Sequence, residues 1–233
     1  LLGELMIIRG KEGDALNIYE KSASLLKNLY GKLREKYIKS EEITEVYGLF
    51  SLLKADTERI HCYRMLRSIY LDRNMNNMAE YWEFHLRKAI CDINTNLTFY
   101  GLSPGEQLLD EIEQTIKLFP DDSDCLLSFA SCLYETGKYK EACQIYGDIL
   151  VINSSEVIKN KEKLYASLSK CRDIGRFKEK CLKAIELKPG DGGCYFIFGE
   201  ILIKEGRIIE AIRAYENSYR LSGRKMFLKA LAH

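Results

Sequence analysis

The chain has 233 residues, of which 46% are hydrophobic, and this is enough for one elongated domain or two small ones with a substantial core. Its formal net charge of +1 implies no global attraction to nucleic acid or to a membrane surface. The apolar runs are far shorter than a membrane span, and only three prolines interrupt the chain, which favours long helices.

The first predicted element, over 1–27, is a pair of helices separated by a tight turn. Leu1 opens the chain inside a predicted helix, so we expect a fragment of a longer protein, and no signal-peptide pattern is present. The pair returns most clearly over 123–156 and 191–223. The three copies share small residues, a turn glycine and a tyrosine: Gly3, Gly10, Ala15 and Tyr19; Ala130, Gly137, Ala142 and Tyr146; Gly199, Gly206, Ala211 and Tyr215.

This helix–turn–helix pattern, with small residues where two backbones must approach closely, resembles the tetratricopeptide repeat (TPR), a 34-residue unit. The resemblance implies an all-α, TPR-like α-solenoid, a right-handed superhelix of about seven helix pairs, some of them degenerate. It also implies a non-catalytic scaffold for protein–protein interaction.

Four alanines are expected at helix crossings, and the gaps of 64, 63 and 69 residues between them are each close to two repeat lengths: Ala15, Ala79, Ala142 and Ala211. We therefore predict that a regular repeat alternates with an eroded one over 1–223. The predicted repeats are 1–27 (partial), 28–57, 58–92, 93–122, 123–156, 157–190 and 191–223, and 224–233 is predicted to start a further or capping helix. An alternative register merges 92–100 into the preceding helix and gives six repeats.

The resemblance also implies a partner-binding groove, because the first helix of each TPR pair lines a concave face. Carried over to this sequence, the face would present these residues: Arg64, Ser68, Leu127, Ser131, Tyr134, Phe196, Glu200 and Ile203. If exposed, they would suit an amphipathic helix or an extended segment. The alternative is that they pack against the next repeat. The basic clamp of chaperone-binding TPR domains is missing from 123–156 and 191–223, which argues against a co-chaperone role.

No constellation for catalysis or for a metal is found, so we predict no enzymatic activity and no cofactor. The eight cysteines form no C-x-x-C pair and fall mostly on predicted buried stripes, which favours a reduced, intracellular, cytoplasmic or nuclear chain over a disulfide or zinc framework. Gly190-Asp191-Gly192-Gly193 follows a predicted helix, so we interpret it as a turn between repeats rather than a phosphate loop.

Charge is unevenly distributed, with ten acids and three bases in 101–155 and seventeen bases and ten acids in 156–233. The basic stretch 159–188 includes Tyr165 and Phe177, and an RNA-binding helical repeat is therefore the alternative function, although Phe177 is expected in the core. We expect protein subunits or peptides as partners, leave homodimerisation open, and expect no membrane partner. The mixture of regular and eroded repeats is similar to TPR subunits of large eukaryotic assemblies, such as the anaphase-promoting complex, a cell-cycle ubiquitin ligase, and intraflagellar transport particles.

Overall fold

The computed structural model describes residues 2–38, 46–100, 104–171 and 174–222, and over these ranges the chain is helical without a strand. It divides into two compact units, Leu1–Pro120 (unit 1) and Asp121–His233 (unit 2). The helices of unit 1 are α1 (Leu2–Ile8), α2 (Glu12–Ile38), α3 (Val46–Asp72), α4 (Asn76–Tyr100) and α5 (Glu106–Ile116). Those of unit 2 are α6 (Ser123–Glu135), α7 (Tyr139–Ile152), α8 (Ser154–Lys159), α9 (Lys161–Lys170), α10 (Gly175–Leu187), α11 (Gly192–Lys204) and α12 (Ile208–Ser222).

Four helix pairs share one turn geometry. The turn residue has a left-handed backbone in each pair, with φ of 67° at Gly10, 56° at Asn74, 77° at Gly137 and 75° at Gly206. Its amide bonds the carbonyl three residues back, and the next amide bonds the carbonyl five residues back, the Schellman arrangement that satisfies a helix C-terminus. Asn74 takes the place of glycine because asparagine tolerates this conformation better than most residues. The pairs α1–α2, α3–α4, α6–α7 and α11–α12 are therefore copies of one hairpin.

The helix crossings lie at the four alanines that the sequence predicts. Ala15, Ala142 and Ala211 are fully buried, and Ala79 is 3% exposed, as predicted for small residues between closely packed helices. Adjacent helices within each unit then pack side by side, with α3 against α2, α4 and α5, and with α7, α10 and α11 in succession. The predicted all-α class is confirmed over the described residues, and the four hairpins have the helix–turn–helix geometry expected of TPR-like repeats.

In two of the hairpins, α1–α2 and α11–α12, a glycine faces a tyrosine across the helix crossing. A Cβ added at Gly3 would lie 2.6 Å from Cζ of Tyr19, and one added at Gly199 would lie 2.6 Å from Cε1 of Tyr215. In α3–α4 the two equivalent positions are instead an ion pair, with Arg67 Nε donating to Glu83 Oε2 at 2.9 Å. The hairpin thus keeps its geometry with two different kinds of contact across the same crossing.

Four predicted repeat boundaries fall inside continuous helices. The boundary between 27 and 28 lies within α2, that between 57 and 58 within α3, that between 92 and 93 within α4, and that between 156 and 157 within α8. No glycine or proline interrupts α4, so the segment 92–100 continues that helix, as in the alternative register. Helix α5 follows as a single helix. The stack over 1–223, its handedness and its number of repeats stay predictions, and the predicted helix over 224–233 lies outside the described residues.

The segment 190–193 after α10 forms a turn, as predicted from the sequence. The Asp191 carboxylate caps α11, because Oδ1 accepts from the Gly193 amide at 2.9 Å, and it also accepts from the Ser154 hydroxyl at 2.8 Å. This confirms a turn between helix pairs rather than a phosphate loop. Seven cysteines are buried and Cys91 is half-buried. None of the described helices combines the length and the apolar character that a membrane crossing requires.

Candidate functional site

A cleft of about 520 Å³ opens within unit 1 between α1, α2, α3 and α5. Its floor is formed by Gly3, Tyr19 and Cys62, which are all buried. Its rim carries Gln107 and Asp110 from α5, which are exposed, so the cleft has an apolar bottom and a polar mouth. This combination of shape and lining is typical of binding sites.

The floor carries two neutral polar groups. The Cys62 thiol donates to the Tyr19 carbonyl at 3.0 Å, and burial raises its pKa to about 12, so it stays protonated at neutral pH. Burial, assisted by the nearby Glu4 carboxylate, also raises the pKa of Tyr19 to about 12. The Tyr19 hydroxyl is buried and has no hydrogen-bond partner among the described residues.

The α2 wall of the cleft is apolar. Ile18, Ser22 and Leu26 line it and are half-buried. Leu25 and Leu29 extend the stripe begun by Ile18 and Ser22 along the same helix, because their spacing of three and four residues keeps them on one face. These two leucines are 69% and 47% exposed, so an apolar surface continues from the cleft into solvent.

The opposite wall, from α3 and α5, is acidic. Glu58, Asp110 and Glu111 line it, and His61 is its basic group. A hydrogen bond of 3.0 Å joins His61 Nδ1 to Glu111 Oε1, and Arg64 donates to Glu111 Oε2 at 2.9 Å. Burial alone would raise the pKa of Glu111, but these two hydrogen bonds outweigh it and lower that pKa below its ordinary value. Glu111 therefore stays ionised and fastens α5 to α3.

A cation–π cluster fixes the chain just beyond α5. Phe119 is 4% exposed, and the guanidinium carbons of Arg67 and Arg87 lie 5.5 Å and 4.5 Å from the centre of its ring. Such contacts are favourable when the cation is partly removed from water. The bonds of Glu111 therefore hold the middle of α5, and this cluster holds the chain just after its C-terminal end.

Two of the predicted groove residues lie on α3 near this cleft. Arg64 is half-buried and reaches the cleft through its bond to Glu111, whereas Ser68 is exposed one turn further along the helix. Counting back from Arg64 by three and then four residues reaches His61 and Thr57, which both line the cleft. That helical spacing was the signal that could have revealed the cleft from the sequence.

Three predicted groove residues of unit 2 are buried, so their side chains are not presented to a partner: Leu127, Ser131 and Phe196. The reason is that α6 has no solvent-facing stripe, since every residue from Cys125 to Leu133 is buried. Phe196 lies inside the α11–α12 hairpin, with its ring centre 5.7 Å from that of Tyr215.

The other three predicted residues of unit 2 differ in what they contact. The Tyr134 ring lies edge-on to Tyr139 at 5.6 Å, and Lys170 covers both rings. Glu200 accepts from the Tyr215 hydroxyl at 2.7 Å, which ties α11 to α12. Ile203 is 43% exposed. Unit 2 therefore does not assemble its predicted residues into one exposed surface.

Comparison with known proteins gives a limited similarity. No family model matches the chain. A relative from Xenopus tropicalis, described as "BBSome complex member BBS4", is 28% identical over 125 residues, covering 50% of this chain and 23% of that protein. This chain thus matches about a quarter of the length of that relative.

One solved structure, described as "Crystal structure of YrrB: a TPR protein with an unusual peptide-binding site", aligns over 92% of this chain and 91% of that chain, at 14% identity. The TM-score is 0.32.

The cleft lining contains one cysteine, one histidine and three carboxylates. In the described part of the chain, no group of three or more His, Cys, Asp or Glu side chains is arranged to hold a metal ion. The Cys62 thiol on the cleft floor is protonated at neutral pH and bonded to a carbonyl, which makes it a poor nucleophile.

Proposed function

We propose that this protein is a non-catalytic scaffold that binds a helical or extended peptide segment of a partner protein in the cleft of unit 1. The observation that carries the proposal is the cleft itself, with a buried floor, an apolar wall and exposed leucines that continue it. A continuous open surface of this kind suits a segment of polypeptide better than an enclosed small molecule.

We further propose that the protein is a subunit of a multi-protein complex. The support is the repeated helical hairpin, together with a relative that is itself described as a complex member. The anaphase-promoting complex, the example suggested by the sequence, stays a prediction.

The RNA-binding alternative gains no support from the described part of the basic stretch. Phe177 is 1% exposed, as expected for a core residue, so it is not available to stack on a base. The Tyr165 hydroxyl is buried as well.

A peptide selection with a cleft-filling variant tests the proposed function. Peptides would be selected from a random displayed library on the wild-type chain and then titrated against Ser22→Trp and Ser24→Trp. Ser22 lines the cleft, and Ser24 is exposed two residues further along the same helix, on its other side. We expect Ser22→Trp to lower the affinity for the selected peptides by about tenfold or more, which corresponds to about 1.4 kcal/mol. Ser24→Trp should leave this affinity unchanged. Equal binding to all three chains would reject the cleft as the binding site.

A further inference from the structure

We propose that the segment bound in the unit 1 cleft is a basic amphipathic helix, with Lys or Arg side chains against the acidic wall and apolar side chains against α2. This inference rests on the proposed function and adds the chemistry of the occupant. Two observations carry it: the charge of the lining and the apolar stripe that faces it.

The charged side chains that line the cleft are mainly acidic. The thirteen lining residues include three carboxylates, and the described lining contains no Lys or Arg. Glu111 is already engaged by His61 and Arg64, whereas Glu58 and Asp110 are exposed and make no ion pair within the described residues. Carboxylates of one sign beside a low-dielectric floor focus a negative potential, which attracts a cation.

The apolar stripe restricts the occupant further. A soluble cation alone would leave Ile18, Leu26 and the exposed Leu25 and Leu29 uncovered. A helix with apolar residues at three- and four-residue spacing would cover this stripe and direct its basic flank toward Glu58 and Asp110. The two walls thus match the two faces of one amphipathic helix.

The test uses fluorescein-labelled helical peptides and the whole chain. The basic probe has Leu and Lys at helical spacing, and the acidic probe has Glu in place of each Lys. Fluorescence anisotropy would be measured at low and high salt with the wild type, with Glu58→Gln/Asp110→Asn, and with the control Glu80→Gln/Glu113→Gln. The control removes the same two charges from exposed positions of α4 and α5 that do not line the cleft.

We expect the basic probe to bind the wild type and the control equally, and to bind Glu58→Gln/Asp110→Asn about threefold to tenfold more weakly. We also expect this difference to shrink at high salt, because exposed charge pairs are screened. The proposal of a basic occupant would be overturned if both double variants weakened binding of the basic probe equally. It would also be overturned if the acidic probe bound the wild type as tightly as the basic probe does.

Leu25→Ser/Leu29→Ser separates this inference from the proposed function. If these substitutions and Ser22→Trp weaken both probes alike, peptide binding in the cleft stands and the basic preference fails. If they weaken neither probe, the proposed function fails.

Discussion

Gly199→Ala tests whether the small residue that faces a tyrosine is required by packing. A methyl group at this position would lie 2.6 Å, 2.8 Å and 2.9 Å from three ring carbons of Tyr215, well inside the optimum of about 3.5–4.0 Å for carbon atoms. The ring cannot move freely, because Tyr215 is 2% exposed and its hydroxyl donates to Glu200 at 2.7 Å. Burial, followed by the hydrogen bond to Glu200, raises the pKa of Tyr215, so it remains a neutral donor.

Two effects oppose each other in this substitution. Alanine is favoured over glycine inside a helix by about 1 kcal/mol, whereas overpacking a buried site costs about 1–3 kcal/mol. Movement of the ring would also strain its bond to Glu200, so we expect a net loss of about 1–2 kcal/mol in the free energy of unfolding. Urea denaturation followed by circular dichroism would measure it, and hydrogen exchange would assign the loss to unit 2.

Two controls isolate the clash. Gly13→Ala makes the same change in helix α2, where no atom lies within 4 Å, and should stabilise the chain by about 0.5–1 kcal/mol. On a Tyr215→Leu background, Gly199→Ala should be neutral or stabilising, because the ring atoms are gone. If Gly199→Ala stabilises the otherwise native chain as much as Gly13→Ala does, the packing argument is refuted.

Two further predictions concern a turn and a half-buried carboxylate. Gly137→Ala should lower the free energy of unfolding by about 1–2 kcal/mol, because φ is 77° there; no atom lies within 4 Å of the added methyl group, so this loss would come from the backbone alone. Asn74→Gly should be neutral or stabilising, because glycine adopts positive φ without strain. Equal shifts of the urea midpoint in the two variants would contradict this reasoning. The lowered pKa of Glu111 means that its bonds to α3 stabilise the fold above its ordinary pKa of 4.5, and that this contribution is lost as the pH falls through the folded-state value. The stability difference between wild type and Glu111→Gln should therefore be largest at neutral pH and should shrink in acid, and a constant difference across urea titrations from neutral pH to about pH 3 would refute it.

The sequence alone determined the hairpins and their crossings. A left-handed turn residue and a buried alanine are requirements of the backbone at one position, so Gly137 and Ala142 could be assigned without knowing any distant contact. The same local logic predicted that Phe177 is a core residue and that 190–193 is a turn.

Only the tertiary structure decided which side chains reach solvent. Leu127 lies on the expected face of its helix, yet it is buried, because exposure depends on every neighbour of that helix. The cleft likewise depends on helices that are distant in sequence, since His61 and Glu111 are 50 residues apart and meet only when α5 packs on α3. Helical periodicity determines which residues share a face, but the packing of the other helices determines whether that face is open to a partner.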